Sequence, residues 1–141
     1  MLAAMGTQPS GRAQEGAARS GALGPDAVFR EARRALREGS LEEAYEGIDA
    51  LTRAFDVHFA LEERVYFPAL AVLRPTLADS LREFGEEHER MRLRLGELAR
   101  GVRTSERAPL LEALEDLVVI FLRHEGREEE LLAVLECDSG H

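Results

Sequence analysis

The 141-residue sequence has no tryptophan and no lysine, a single cysteine, and only eight Phe and Tyr residues. The lone Cys137 excludes an intramolecular disulfide, and no run of about 18 apolar residues is present to span a bilayer. Strand-forming material is also scarce. Val, Ile, Thr, Phe and Tyr supply 22 residues, whereas Leu, Glu, Ala and Arg supply 80. Such an excess of strong helix formers predicts an all-α protein. The 18 basic residues, all arginine, are outnumbered by 27 acidic ones and are scattered among glutamates. Without a basic patch, nucleic acid is not an expected partner. With no membrane span and no export pattern near Met1, the sequence reads as cytoplasmic, with no membrane partner.

The length suits one domain that can bury a core without cross-links. Residues 1–24 carry five glycines and no hydrophobic periodicity, and read as a flexible leader. Pro25 and Asp26 open a first helix that Gly39 stops. Ser40 and Glu43 form a capping box for a second helix, expected to run to Leu73 before Arg74-Pro75 ends it. A third helix is expected from Thr76, capped by that threonine, to Val102, and a fourth from Ala108–Pro109 to Glu136, with 137–141 as a tail. Three short connections between four helices predict an antiparallel up-down four-helix bundle over 25–136.

The heptad phases carry polar residues into the expected core. In the second helix, Leu41, Ile48, Phe55, Glu62, Ala69 interleave with Ala44, Leu51, His58, Val65, Val72. In the third, Leu77, Phe84, Met91, Leu98 interleave with Leu81, His88, Leu95, Val102, and only His88 breaks the apolar pattern. The fourth repeats the scheme with Leu110, Leu117, His124, Leu131 and Leu114, Phe121, Glu128, Leu135. Counting at about 1.5 Å per residue from the turns places His58, His88 and His124 at one level. Inward carboxylates at that level are costly unless paired or coordinated, and no basic residue occupies a seam position to pair with them.

A cation resolves this conflict. The pairs His58/Glu62 and His124/Glu128, each spaced i, i+4, with His88 supply three imidazoles and two carboxylates from three helices. This nitrogen and oxygen set, without thiolate, suits Fe or Mn and tolerates Zn. Beside it, Glu63 and Glu129 read as solvated neighbours, Tyr66 as packing at the stripe edge, and Pro68 as a kink near a helix end.

The run from His58 through Glu62-Glu63 to Pro68 resembles the H-x-x-x-E-E-x-x-x-x-P segment of the hemerythrin-like, HHE cation-binding family of four-helix bundles. His124 to Glu128-Glu129 resembles that family's second copy, and Glu86-Glu87-His88 its isolated third-helix histidine. The resemblance implies a non-haem diiron centre, with Glu62 and Glu128 as bridging carboxylates and His58, His88 and His124 as terminal ligands. It also implies a protein that binds or senses dioxygen or a related small ligand, peroxide or nitric oxide. The alternatives are a diiron enzyme acting on peroxide or oxygen, or a mononuclear or metal-free helical interaction module.

One departure from the family concerns the first helix, which lacks the family's further histidine and presents Val28, Phe29, Ala32 and Leu36 to the core. Two consequences are open: one metal keeps a position for exogenous ligand, or only one metal binds well. Glu31 could substitute only if this helix rotated. The helix is also short for reaching the level of His58, and a second copy of the chain is the partner expected on the side it leaves open.

Overall fold

The computed structural model describes residues 25–104 and 106–139, so the expected leader and the last two residues lie outside it. The described residues are helical, with no strand among them. Helix α1 spans Pro25–Glu38 and α2 spans Leu41–Leu61. A π-helical turn at Glu62–Tyr66 then leads into α3, Phe67–Leu73. After a 3-10 turn at Pro75–Leu77 come α4, Ala78–Gly101, and α5, Arg107–Ser139. None of these helices is long and apolar enough to cross a membrane.

The chain divides into two compact units, with the boundary between Ala69 and Leu70. In the first, α1 and α2 form a helical hairpin. Its turn is the expected one: Gly39 N–H donates to Ala35 O (2.9 Å), and the capping box is complete. Glu43 N–H donates to Ser40 Oγ (3.1 Å), and Ser40 N–H to Glu43 Oε1 (2.8 Å). A side chain at 39 would lie 2.9 Å from both Ala35 O and Glu43 Oε1, which favours glycine at the turn. Val28, Phe29, Ala32, Ala35 and Leu36 of α1 are buried, as are Ala44, Gly47, Ile48, Leu51, Phe55 and Phe59 of α2. Phe29 meets Phe55 edge-on at 5.5 Å, and Phe55 meets Phe59 at 5.1 Å, a favoured geometry for aromatic pairs.

In the second unit, α4 and α5 pair along the expected seams, except that Leu77 and Leu131 are only partly covered and the side chain of Leu135 lies outside the described residues. Leu81, Phe84, His88, Met91, Leu95, Leu98 and Val102 are buried on one side, and Leu110, Leu114, Leu117, Phe121, His124 and Glu128 on the other. Thr76 does not cap α4; the 3-10 turn places Leu77 at that position, without a side-chain cap. Helix α5 begins at Arg107 and continues to Ser139, so part of the expected tail is helical backbone.

The second-helix seam departs from expectation in two ways. Leu41, Val65, Ala69 and Val72 are exposed, and Phe59 is buried although the heptads assigned the inward position to His58. A straight helix turns every 3.6 residues, so a strict seven-residue series drifts by about 20° per heptad. The buried face follows 48, 51, 55, 59, 62. Beyond Glu62 the π turn inserts one residue, with Phe67 N–H bonded to Glu62 O, five residues back. The partly covered positions become Phe67, Leu70 and Ala71, one residue later than an unbroken α-helix would place them.

Pro68 accounts for the π turn. Its ring would collide with the carbonyl four residues earlier, that of Arg64, and it offers no N–H to the ladder. Widening the turn relieves the clash without ending the helix.

Candidate metal centre

The five expected ligands fall into two sets, one in each unit. In the first unit, α2 and the start of the π turn present His58 and Glu62 one helical turn apart, with His58 Nε2 3.5 Å from Glu62 Oε2. Glu62 is 9% exposed, while the His58 side chain keeps 29% of its surface. His58 also packs against the Phe59 ring at 5.8 Å.

In the second unit, α4 supplies His88 and α5 supplies His124 and Glu128. The two imidazoles are 0% and 1% exposed, and Glu128 is 8% exposed. Their Nε2 atoms lie 3.0 Å apart. Glu128 Oε2 is 2.8 Å from His124 Nε2 and 3.8 Å from His88 Nε2. The three donors lie within 4.8 Å of one another.

Two ring nitrogens and a carboxylate oxygen facing one point fit a cation. A neutral His124 whose one proton is on Nδ1 turns an Nε2 lone pair toward the Glu128 carboxylate and His88 Nε2, where no proton of its own serves those contacts. A metal ion serves all three donors at once. Ligands at about 2.1 Å in adjacent positions of an octahedron are about 3.0 Å apart, the separation of the two nitrogens. The donor set is imidazole and carboxylate, with hard oxygen and borderline nitrogen atoms, which suits iron and manganese and tolerates zinc.

Around this centre the sequence reading missed one residue, Glu87. Its Oε1 accepts from His124 Nδ1–H at 2.6 Å, and its Oε2 is in contact with Arg127 Nη2. Burial pushes the Glu87 carboxyl up, but the hydrogen bonds and charges of Arg127 and His124 outweigh it and hold the group below the ordinary carboxylate range. Burial likewise pushes His124 down; hydrogen bonds to Glu128 and Glu87 and the charge of Glu128, against the opposing influence of His88, leave it raised. The available signal for Glu87 was an acid beside a seam histidine, facing a helix with an arginine three residues after its own seam histidine. Glu129 is exposed, as its solvated reading has it.

On α1, Glu31 is exposed and turned onto Arg34, whose Nη2 donates to it at 2.6 Å. That hydrogen bond, opposed by slight desolvation and aided by the guanidinium charge, lowers the Glu31 carboxyl. The buried residues of α1 are all apolar and contribute no donor to the core.

Compared with known proteins, residues 26–135 match the family described as the hemerythrin HHE cation binding domain. No curated protein and no solved structure matches the chain.

Proposed function

Since this chain belongs to the hemerythrin HHE cation-binding family, a family of helical bundles, we propose that it holds non-haem iron, as a pair of ions ligated by His58, Glu62, His88, His124 and Glu128, and binds or senses dioxygen or a related small ligand there. The observation that carries the reading is the convergence of His88 Nε2, His124 Nε2 and Glu128 Oε2 in a buried setting. The heptad spacing of His58 and Glu62 and the family match support their inclusion in the same ligand set. Glu62 and Glu128, each one turn beyond a ligand histidine, are the residues suited to bridge.

Bound iron would supply ligand exchange and one-electron redox chemistry. The chain's own contribution is selection and protection. The buried face of α1 is apolar, without the histidine of the family's first helix, which withholds a sixth protein donor and favours an open coordination position. Phe84, edge-on to His124 at 5.3 Å, limits access of bulk water to that ring. Within unit two, the Glu87 carboxylate accepts a hydrogen bond from His124 Nδ1–H at 2.6 Å, on the side of the ring away from the centre.

Elemental mass spectrometry on untagged protein purified without oxygen tests the reading, followed by an optical spectrum before and after air. About two irons per chain with a new near-ultraviolet band on exposure to air is the expected result. Unchanged metal content in the double variant Glu62→Ala, Glu128→Ala would overturn it. Turnover of peroxide well above that of free iron would instead favour the enzyme reading, which rests on the same open position.

A further inference from the structure

Glu87 differs from the acids around it. Its side chain is 13% exposed, while those of Glu86 and Glu89 on the same helix keep 59% and 69%. Both of its oxygens are engaged: Oε1 with His124 Nδ1 at 2.6 Å, and Oε2 with Arg127. Arg127 is itself held over the Phe84 ring, its guanidinium carbon 5.8 Å from the centroid. That ring packs edge-on against His124, with an interplanar angle of 77°. The His124 ring is therefore fixed along one edge by a carboxylate and against one side by an aromatic ring, and the carboxylate is anchored in turn by an arginine.

We infer that Glu87 is a positioning residue for the metal centre, which fixes His124 with Nδ1 protonated and Nε2 directed at the ion. The inference rests on the metal reading above and adds to it a residue outside the ligand set. The reason is a matter of donors and acceptors. An ionised carboxylate can only accept, so the Nδ1 it touches carries the proton, and the neutral ring then keeps its lone pair on Nε2. A carboxylate behind a ligand imidazole also makes the ring a stronger donor and prevents it from rotating to offer the wrong nitrogen. Arg127 holds Glu87 turned inward, where a free glutamate would extend into water. The sequence makes the arrangement from neighbouring positions: Glu87 precedes the ligand His88 on α4, and Arg127 precedes the ligand Glu128 on α5.

Two measurements on the full chain test this. The first is the dissociation constant for Fe(II), by anaerobic competition titration. The second is the histidine ring nitrogen and Nδ1–H signals of the Zn(II)-loaded protein, by NMR with labelled histidine. In the wild type, one coordinated histidine is expected to show a far-downfield Nδ1–H that exchanges slowly with water. In Glu87→Ala this proton moves upfield and exchanges faster, and Fe(II) binds about 10- to 100-fold more weakly. Glu87→Gln keeps an acceptor and the side-chain shape, and is expected to retain the Nδ1–H signal with a smaller loss of affinity. Arg127→Ala shifts both readouts in the same direction as Glu87→Ala, by less.

Wild-type affinity and an unchanged ring signal in Glu87→Ala overturn the inference. So does a lower melting temperature of the metal-free Glu87→Ala protein with both readouts unchanged, since that is a purely structural role. If His124→Ala abolishes Fe(II) binding while Glu87→Ala leaves it intact, the positioning role fails and the metal reading stands. If the wild type binds neither ion, the metal reading fails and this inference fails with it.

Discussion

Glu86 and Glu87 are adjacent acids on one helix, separated by about 100° of rotation, and that angle decides their roles. The first is a solvated surface group near Arg82, whereas the second reaches His124 and Arg127. The same logic separates Glu31 from the proposed ligands Glu62 and Glu128: it is exposed and bound to Arg34. Replacing Glu31 by alanine is expected to leave metal content unchanged, whereas His88→Ala, which removes a fully buried donor 3.0 Å from His124 Nε2, is expected to weaken Fe(II) retention by at least tenfold. Elemental analysis of the two variants purified side by side checks both. Glycines divide in the same manner. A Cβ at Gly47 would lie 3.2 Å from Ala32 Cα and 3.4 Å from Ala35 Cβ, so a large side chain there forces α1 and α2 apart. Gly47→Leu is expected to destabilise by about 1–3 kcal/mol. Gly85 has nothing within 4 Å of a Cβ, and Gly85→Ala is expected to stabilise α4 by about 0.5–1 kcal/mol. Urea melts of both variants give the sign and size.

At the scale of elements, the second and third helical stretches show where periodicity suffices and where it does not. In α4 every inward position follows from the spacing of leucines and one histidine, because the helix is regular from Ala78 to Gly101. In the run from Leu41 to Leu73 the same rule fails at Leu41 and again at His58, by drift, and past Glu62 by the inserted residue of the π turn. Pro68 was visible in the sequence as a kink. That the chain answers with a wider turn beginning at Glu62, a proposed ligand, depends on the packing that keeps the helix continuous. Pro68→Ala is therefore expected to return Phe67 N–H from Glu62 O to Glu63 O and to rotate the face that follows by about one residue. Carbonyl and amide chemical shifts across 62–70 would report the change; a π turn that persists without the proline would show that packing alone imposes it.

For the molecule as a whole, the principal expectation is linkage between metal and folding. The buried apolar groups are accompanied by Glu62 in the first unit and by His88, His124 and Glu128 in the second, polar groups whose burial is costly without a cation. A bound ion stabilises the folded state according to its concentration over its dissociation constant, about 2.7 kcal/mol at a hundredfold excess. Chelation is accordingly expected to lower the melting temperature by about 10 °C or more, and readdition of Fe(II) to restore it. A melting temperature indifferent to chelator would remove the metal from the folded state of this protein. By contrast, the surface pairs of Arg34 and Arg82 with acids three residues earlier are exposed and screened, and are expected to add little to stability.

Composition and period were enough to establish an all-α chain, the turn at Gly39, a connection between Val102 and Ala108, and most of the buried faces of α1, α4 and α5, since these depend on local propensity and on a 3.6-residue repeat. The inward position of His88, His124 and Glu128 followed from the same repeat, because a polar residue in phase with leucines has nowhere else to point. The tertiary structure decided what the repeat does not encode. It selected Phe59 over His58 for the fully buried position, the π turn over a simple kink, and Glu87 as the carboxylate that meets His124 Nδ1. Each choice depends on contacts between residues distant in sequence or on a local change of helical pitch, and a one-dimensional spacing carries neither.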